Sequence, residues 1–75
     1  MEFTLTISAD WNYTPSDLMN RYAKNTRGVT FFRDRYFSSY ICKNGVWYEY
    51  SHLKTKQTDN PDFITVTVYL KEKKQ

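Results

Sequence analysis

The chain is poor in the residues on which disulfide-rich domains and metal sites depend. It contains one cysteine, Cys42, and one histidine, His52. A single cysteine forms no disulfide within the chain, whereas a secreted domain of this size usually carries several. The usual zinc sites draw their ligands from several cysteines and histidines. We therefore expect a cytoplasmic protein without a metal site.

Glycine, proline and long apolar runs are also scarce. The chain has two glycines and two prolines, which is too few for a glycine-rich phosphate loop and argues against disorder. No apolar run approaches the ~18–20 residues of a membrane span. The first residues lack the basic and apolar segments of a secretory signal. We expect no membrane partner and no cofactor.

The positive charge is small and uneven. The net charge is +3, of which residues 71–74 (KEKK) contribute +2, so residues 1–70 carry +1. A nucleic-acid-binding domain usually has a clear basic face. This distribution predicts a single domain over residues 1–70 and a basic, solvated tail over residues 71–75.

Apolar and polar residues alternate in several short segments, which is typical of half-buried strands. A helix is predicted over residues 15–25, with Thr14 as N-cap and Pro15 in the first turn. Residues 52–62 are polar and predict a loop. The pattern predicts strands over residues 3–7, 29–33, 36–43, 46–51 and 63–70. The order β-α-β-β-β-β predicts an α+β fold, in which one helix covers one face of a mainly antiparallel sheet of four to five strands. We also expect the first strand to pair with the last.

Asn44-Gly45 between two alternating runs is a strong signal for a two-residue hairpin. Its register places Cys42 opposite Trp47 and Ile41 opposite Tyr48. One face then carries Ile41, Val46, Tyr48 and Tyr50, and the other carries Tyr40, Cys42, Trp47 and Glu49. The first face is the better match for the helix, but Trp47 could equally anchor the core, so the buried face is left open.

No side chains are placed for catalysis. In this register, Cys42 and His52 lie about 17 Å apart along the strand, too far for a nucleophile and its base. The eight acidic residues are scattered, mostly at predicted caps and turns. We therefore predict that the protein is not an enzyme.

The hairpin rings that the core does not need predict a binding surface. Trp, Tyr and Arg carry most binding energy at protein interfaces. The candidate partner-binding residues are Arg33, Arg35, Tyr36, Tyr40 and Trp47.

The leading hypothesis is a non-enzymatic module that binds another protein through this aromatic and arginine-lined sheet face. Its small size suits an inhibitor or adaptor, of the kind that phages and other mobile elements encode. The alternative is a single-stranded RNA- or DNA-binding protein, in which rings stack on bases and Arg or Lys contacts phosphates. Homodimerisation through the aromatic faces is a third option.

Overall fold

One helix and five strands make up residues 1–73, the part of the chain that the computed structural model describes. The elements are β1 (Glu2–Ser8), α1 (Pro15–Lys24), β2 (Val29–Arg33), β3 (Ser39–Lys43), β4 (Val46–Gln57) and β5 (Phe63–Glu72). All neighbouring strands are antiparallel, and the helix packs on one face of the sheet. The predicted α+β fold and element order are confirmed.

The strand order across the sheet is β1-β5-β4-β3-β2. The predicted pairing of the first and last strands is confirmed, with Leu5 opposite Val66 at the centre of β1 and β5. The helix contacts β2 and β3 at one side of the sheet and also β1 at the opposite edge. A ten-residue helix reaches both edges because the sheet curls around it.

The helix begins where the sequence predicts. The Thr14 side chain accepts a hydrogen bond from the backbone N–H of Asp17, and the Asp17 carboxylate accepts one from the backbone N–H of Thr14. This reciprocal capping box satisfies two N–H groups that the first turn leaves unpaired. These bonds hold the pKa of Asp17 below its ordinary value, and the bond from the Thr14 backbone N–H contributes most. The charge of Arg33 lowers this pKa further.

The core lies between the helix and the face of the sheet that we call the inner face. The helix contributes Leu18, Met19 and Ala23, and its Tyr22 ring stacks on Phe3 with 4.2 Å between centroids. Ile41 is completely buried, so the hairpin face that carries Ile41 is the buried one. The other fully buried sheet residues within residues 1–73 are Ile7, Val66 and Val68. Val46 is only half-buried at the margin of this layer.

Strand β4 continues six residues beyond the predicted end at Ser51, so the prediction of a loop from His52 is wrong for residues 52–57. The register shifts between Tyr50 and His52, which marks a bulge at Ser51. After the bulge, Leu53 faces the core and Lys54 faces away, opposite Thr67 of β5. The pairing with β5 makes this polar segment a strand, a tertiary effect that local composition does not reveal.

Strand β3 begins at Ser39, so the prediction of a strand from Tyr36 is also wrong. Residues 34–38, which we call the tip loop, join β2 to β3. The Asp34 carboxylate accepts hydrogen bonds from the backbone N–H groups of Tyr36 and Ser38. Such side-chain bonds to the backbone compete with the strand ladder and favour a turn.

Strand β5 ends at Glu72, two residues later than predicted, and so includes the first part of the segment predicted as a tail. The Lys73 backbone N–H donates to the carbonyl of Trp47. Residues 74–75, the rest of the predicted tail, lie outside the described residues. Within residues 1–73, no helix is long and apolar enough to cross a membrane.

Candidate binding site

The face opposite the helix, which we call the outer face, carries three large rings on three adjacent strands. Phe32 of β2 pairs with Tyr40 of β3, and the hairpin register places Cys42 opposite Trp47 of β4, as predicted. Alternation in strands brings Phe32, Tyr40 and Trp47 to the same face. These three residues form what we call the aromatic cluster.

Phe32 contacts both of the other rings in the cluster. The Phe32 ring meets the Trp47 ring edge to face, with 5.9 Å between centroids and 76° between planes. Phe32 and Tyr40 lie 6.4 Å apart at 26°. These are favourable geometries for aromatic pairs and stabilise each contact by about 0.5–1.5 kcal/mol beyond burial. These contacts hold the three rings together, although Phe32 remains 48% exposed.

A groove of about 320 Å³ opens beside these rings, and Asp34 and Lys73 complete its lining. The Lys73 ammonium lies 4.1 Å from the centroid of the Tyr40 ring. A cation over a ring face is attracted by the ring quadrupole. The groove thus combines aromatic walls with one positive charge at its edge.

Asp34 ties the groove to the tip loop. Besides its two bonds to backbone amides, its carboxylate accepts a hydrogen bond from the Tyr40 hydroxyl at 3.2 Å. Burial by itself raises the pKa of Asp34, but the amides of Ser38 and Tyr36, the Tyr40 hydroxyl and the charge of Lys73 together hold that pKa below its ordinary value. Asp34 is therefore ionised at neutral pH, and it holds both the loop and the Tyr40 ring in position.

The tip loop presents two more rings to solvent. Tyr36 is 75% exposed and Phe37 is 81% exposed. Phe37 has φ of 65°, in the left-handed region that a residue with a large side chain rarely adopts. This backbone costs roughly 1–2 kcal/mol relative to a residue such as glycine. The loop tolerates this cost because four hydrogen bonds close it: two at the Asp34 carboxylate and two between Asp34 and Ser38 or Phe37 backbone groups.

The structure brings together only part of the predicted set. Tyr40 and Trp47 lie side by side in the aromatic cluster, whereas Tyr36 stands in the tip loop beside Arg35, whose guanidinium lies 5.3 Å from the Tyr36 ring centroid. Arg33 points to the inner side, where its Nη2 donates to Ser16 Oγ at 2.6 Å. The predicted rim of two arginines is therefore wrong for Arg33, which links β2 to the start of the helix.

The rest of the outer face carries a second pair of stacked rings and several lysines. The His52 and Tyr69 rings stack 4.5 Å apart at 8°, and the Lys54 ammonium lies 5.7 Å from the Tyr69 centroid. Lys71 forms an exposed ion pair with Glu49 at 3.7 Å. By strand alternation Lys56 joins Lys54 on this face. Lys71 thus lies near the aromatic cluster, whereas Lys54 and Lys56 lie further along β4, away from Trp47.

Phe32 and Lys73 are the residues that the sequence-based prediction missed. Phe32 falls in a predicted strand, but a five-residue loop separates that strand from the hairpin and hides the register that pairs it with Tyr40. Strand alternation places Phe32 on the same face as the polar Thr30 and on the opposite face from Val29. This pattern is the signal in the sequence that could have indicated the face of Phe32. Lys73 was assigned to the tail because the alternating pattern of β5 ends at Leu70.

The described residues offer no metal-binding group, since no three His, Cys, Asp or Glu side chains in residues 1–73 lie close enough to hold an ion. Cys42 is a half-buried free thiol on the outer face. Comparison with protein-family models, with curated proteins and with solved structures finds no match. The function must therefore be argued from the groove, the rings and the charges themselves.

Proposed function

We propose that the protein is a non-enzymatic binding module whose outer face docks on another protein, with the aromatic cluster as the anchor. The observation that carries the proposal is the open groove between ordered rings on the face that the core does not use. Interface hot spots are enriched in Trp, Tyr and Arg and surround well-packed pockets. An apolar side chain of the partner fits this groove.

The charges around the groove specify the partner further. Lys73 lies at the groove, and Lys54, Lys56 and Lys71 follow on the same face. Complementary potentials across an interface speed association and exclude wrong partners. The partner surface is therefore an apolar residue with carboxylates placed towards Lys73 and Lys71 and away from Asp34.

The arrangement of the rings favours a protein over a single-stranded nucleic acid. A stacking platform needs free ring faces, on which successive bases lie flat. Here Lys73 covers one face of Tyr40, and His52 covers one face of Tyr69. Phe32 meets Trp47 edge to face, and the ionised Asp34 stands at the groove and repels phosphate.

The lysines of the outer face are the observation that supports the second candidate, binding of single-stranded RNA or DNA. Titration with fluorescein-labelled oligo(dT) of about 20 nucleotides at 50 and 200 mM salt tests it. Affinity carried by phosphate contacts falls steeply with salt. We expect no binding at 200 mM; tight, salt-sensitive binding that needs Trp47 would replace the protein-binding proposal.

A small module of this kind can act as an inhibitor or an adaptor, and we favour these roles. A phage or mobile-element origin is suggested by size alone. We expect the protein to act in the cytoplasm, because it has one cysteine and a secreted domain of this length usually has several.

Affinity capture tests the proposal. The tagged protein is used to capture partners from nuclease-treated extract, and the captured protein is identified, purified and titrated directly. We expect Trp47→Ala and Phe32→Ala each to weaken binding at least about 30-fold, since hot-spot truncations cost 2 kcal/mol or more. Thr65→Ala, on the same face in β5, is the matched control and should bind like the wild type. Equal binding by all four proteins would contradict the proposal.

A further inference from the structure

Three stretches of at least five strand residues have one unpaired edge within residues 1–73. They are β1 and β2 at the two ends of the sheet, and the part of β4 beyond Tyr50, where the pairing with β3 has ended. Unpaired N–H and C=O groups attract other strands, so natural proteins usually blunt such edges with charges, bulges, proline or a covering element.

Two of the three edges are blunted in these ways. Strand β2 is only five residues long, ends in Arg33 and has α1 packed along it. The free stretch of β4 carries the bulge at Ser51 and two lysines, Lys54 and Lys56. Each of these devices disfavours the addition of a further strand.

Strand β1 is the least protected of the three: its one charge is Glu2, at the start of the strand, and the helix contacts it less than it contacts β2. Its sequence EFTLTIS contains no lysine, arginine or proline, and its pairing with β5 runs through seven consecutive residues without a bulge. Thr4 and Thr6 on its outer face are β-branched residues that favour strands. Leu5 on its inner face is only half-buried, so some apolar surface is left uncovered there.

The hydrogen-bond pattern shows which backbone groups of β1 are free. Met1 exchanges hydrogen bonds with Leu70, and the Ala9 N–H donates to the carbonyl of Asp62. Because bonding alternates along an antiparallel pair, odd-numbered residues of β1 face β5 and even-numbered residues face outward. The Ser8 carbonyl is used by the N–H of Trp11, but in residues 1–73 no bond from outside the sheet reaches the backbone of Glu2, Thr4 or Thr6.

We infer that the β1 edge pairs with the β1 edge of a second copy of this chain, antiparallel and about a two-fold axis at Leu5. In this register Thr4 of one copy lies opposite Thr6 of the other, and Phe3 lies opposite Ile7. About six inter-chain N–H···O bonds form, the two Leu5 side chains meet, and Glu2 faces Ser8 rather than another acidic group. An isologous contact needs a self-complementary strand of this kind.

The dimer displays the outer faces of both copies on one side of a continuous sheet. Two grooves then face the same direction, so a partner with two sites is bound with avidity. The inference itself does not depend on the proposed function, because β1 lies at the opposite edge of the sheet from β2 and its aromatic residue. A single strand edge buries less than the ~1,200 Å² of a standard interface, so we expect a weak dimer.

Sedimentation equilibrium of the full chain between 10 µM and 1 mM tests the inference. We expect the wild-type mass to rise towards that of two chains, whereas the double variant Thr4→Lys/Thr6→Lys places like charges opposite each other and associates at least about tenfold more weakly. The matched control is Thr65→Lys/Thr67→Lys, which adds the same charges one strand away from the edge. Both variants lose the hydroxyl hydrogen bond between Thr4 and Thr67, so this loss cancels in the comparison.

Hydrogen exchange of the wild type gives a test that does not depend on any variant. The outward amides of Thr4 and Thr6 should exchange at least about tenfold more slowly at 1 mM than at 10 µM, while that of Asn12 stays unchanged. A wild type that remains monomeric at 1 mM overturns the inference. Equal weakening by both lysine pairs overturns it too, as does a dimer that is lost in Trp47→Ala but kept in the edge variant.

Discussion

The two faces of the sheet are formed by the same alternating strands but differ in how deeply their side chains are buried. On the inner face Ile41, Val66 and Val68 are fully buried beneath the helix. On the outer face the larger Trp47 and Tyr40 stay half-exposed, although they lie in the same hairpin as Ile41. One helix covers only one face, so burial follows its reach and not the size of the side chain. Rings on the other face therefore remain accessible to solvent.

The largest expected loss of stability comes from truncating a side chain on the inner face, compared with its sequence neighbour on the outer face. Ile41→Ala should cost about 2–5 kcal/mol, because it leaves a cavity in the buried layer. For a domain of this size, that lowers Tm by at least about 10 °C. Cys42→Ala, one residue along and on the outer face, should cost less than about 1 kcal/mol. Thermal unfolding followed by circular dichroism measures both, and equal losses would show that the outer face is also core.

Acid should loosen both sides of the sheet, since Asp17 caps the helix and Asp34 anchors the tip loop. Both carboxyls have a pKa held below the ordinary value in the folded protein. Folding therefore favours their ionised form, and this stabilisation is present above about pH 4 and is lost as pH falls through the folded pKa values. Urea unfolding between pH 2 and 7 should show the loss.

Single substitutions distinguish the contributions of Asp34 and Asp17 to this pH dependence. Asp34→Asn should flatten part of the acid dependence and speed amide exchange at Ser38, while leaving the first turn of the helix protected. Asp17→Asn should do the reverse at the helix. An unchanged pH profile in both variants would show that other groups cause the acid dependence.

Relief of the strained tip loop should stabilise the protein. Phe37→Gly should raise the free energy of unfolding by about 0.5–1 kcal/mol, because glycine adopts positive φ readily and the exposed ring contributes no packing. Tyr36→Gly is the control and should be neutral or destabilising. A loss of stability in Phe37→Gly comparable to that of Ile41→Ala would mean that this ring belongs to the fold.

The smallest effect is expected at the ion pair of the outer face. Lys71→Gln should change the free energy of unfolding by less than about 0.5 kcal/mol, because both side chains of the Lys71–Glu49 pair are exposed and screened. Chemical denaturation measures this change. A cost above about 1 kcal/mol would show that charges on the outer face stabilise the fold and do not serve recognition alone.

Local signals were sufficient for most of the fold. The Asn44-Gly45 turn set the hairpin register, and Thr14-Pro15 marked the start of the helix, because these signals act over a few residues. The extent of β4 beyond Ser51 was missed, since the pairing with β5 and not the local sequence makes that segment a strand.

The candidate site was harder to predict for a related reason. Tyr40 and Trp47 belong to one hairpin, and its short turn is sufficient to place them on the same face from the sequence. Phe32 joins them across the tip loop, whose conformation depends on the hydrogen bonds of Asp34. Arg33 was misplaced because one step along a strand reverses the face, and its bond to Ser16 requires knowledge of where the helix lies.

We propose that the outer face and not the inner face meets a partner protein, and site-specific photocrosslinking is the direct test. The photoreactive residue p-benzoylphenylalanine is placed either at Tyr40 or at Tyr48, two tyrosines of one hairpin that point to opposite faces. The account predicts that position 40 crosslinks to a protein in nuclease-treated extract and that position 48 does not. Crosslinking from position 48 alone, or only to nucleic acid in untreated extract, would contradict it.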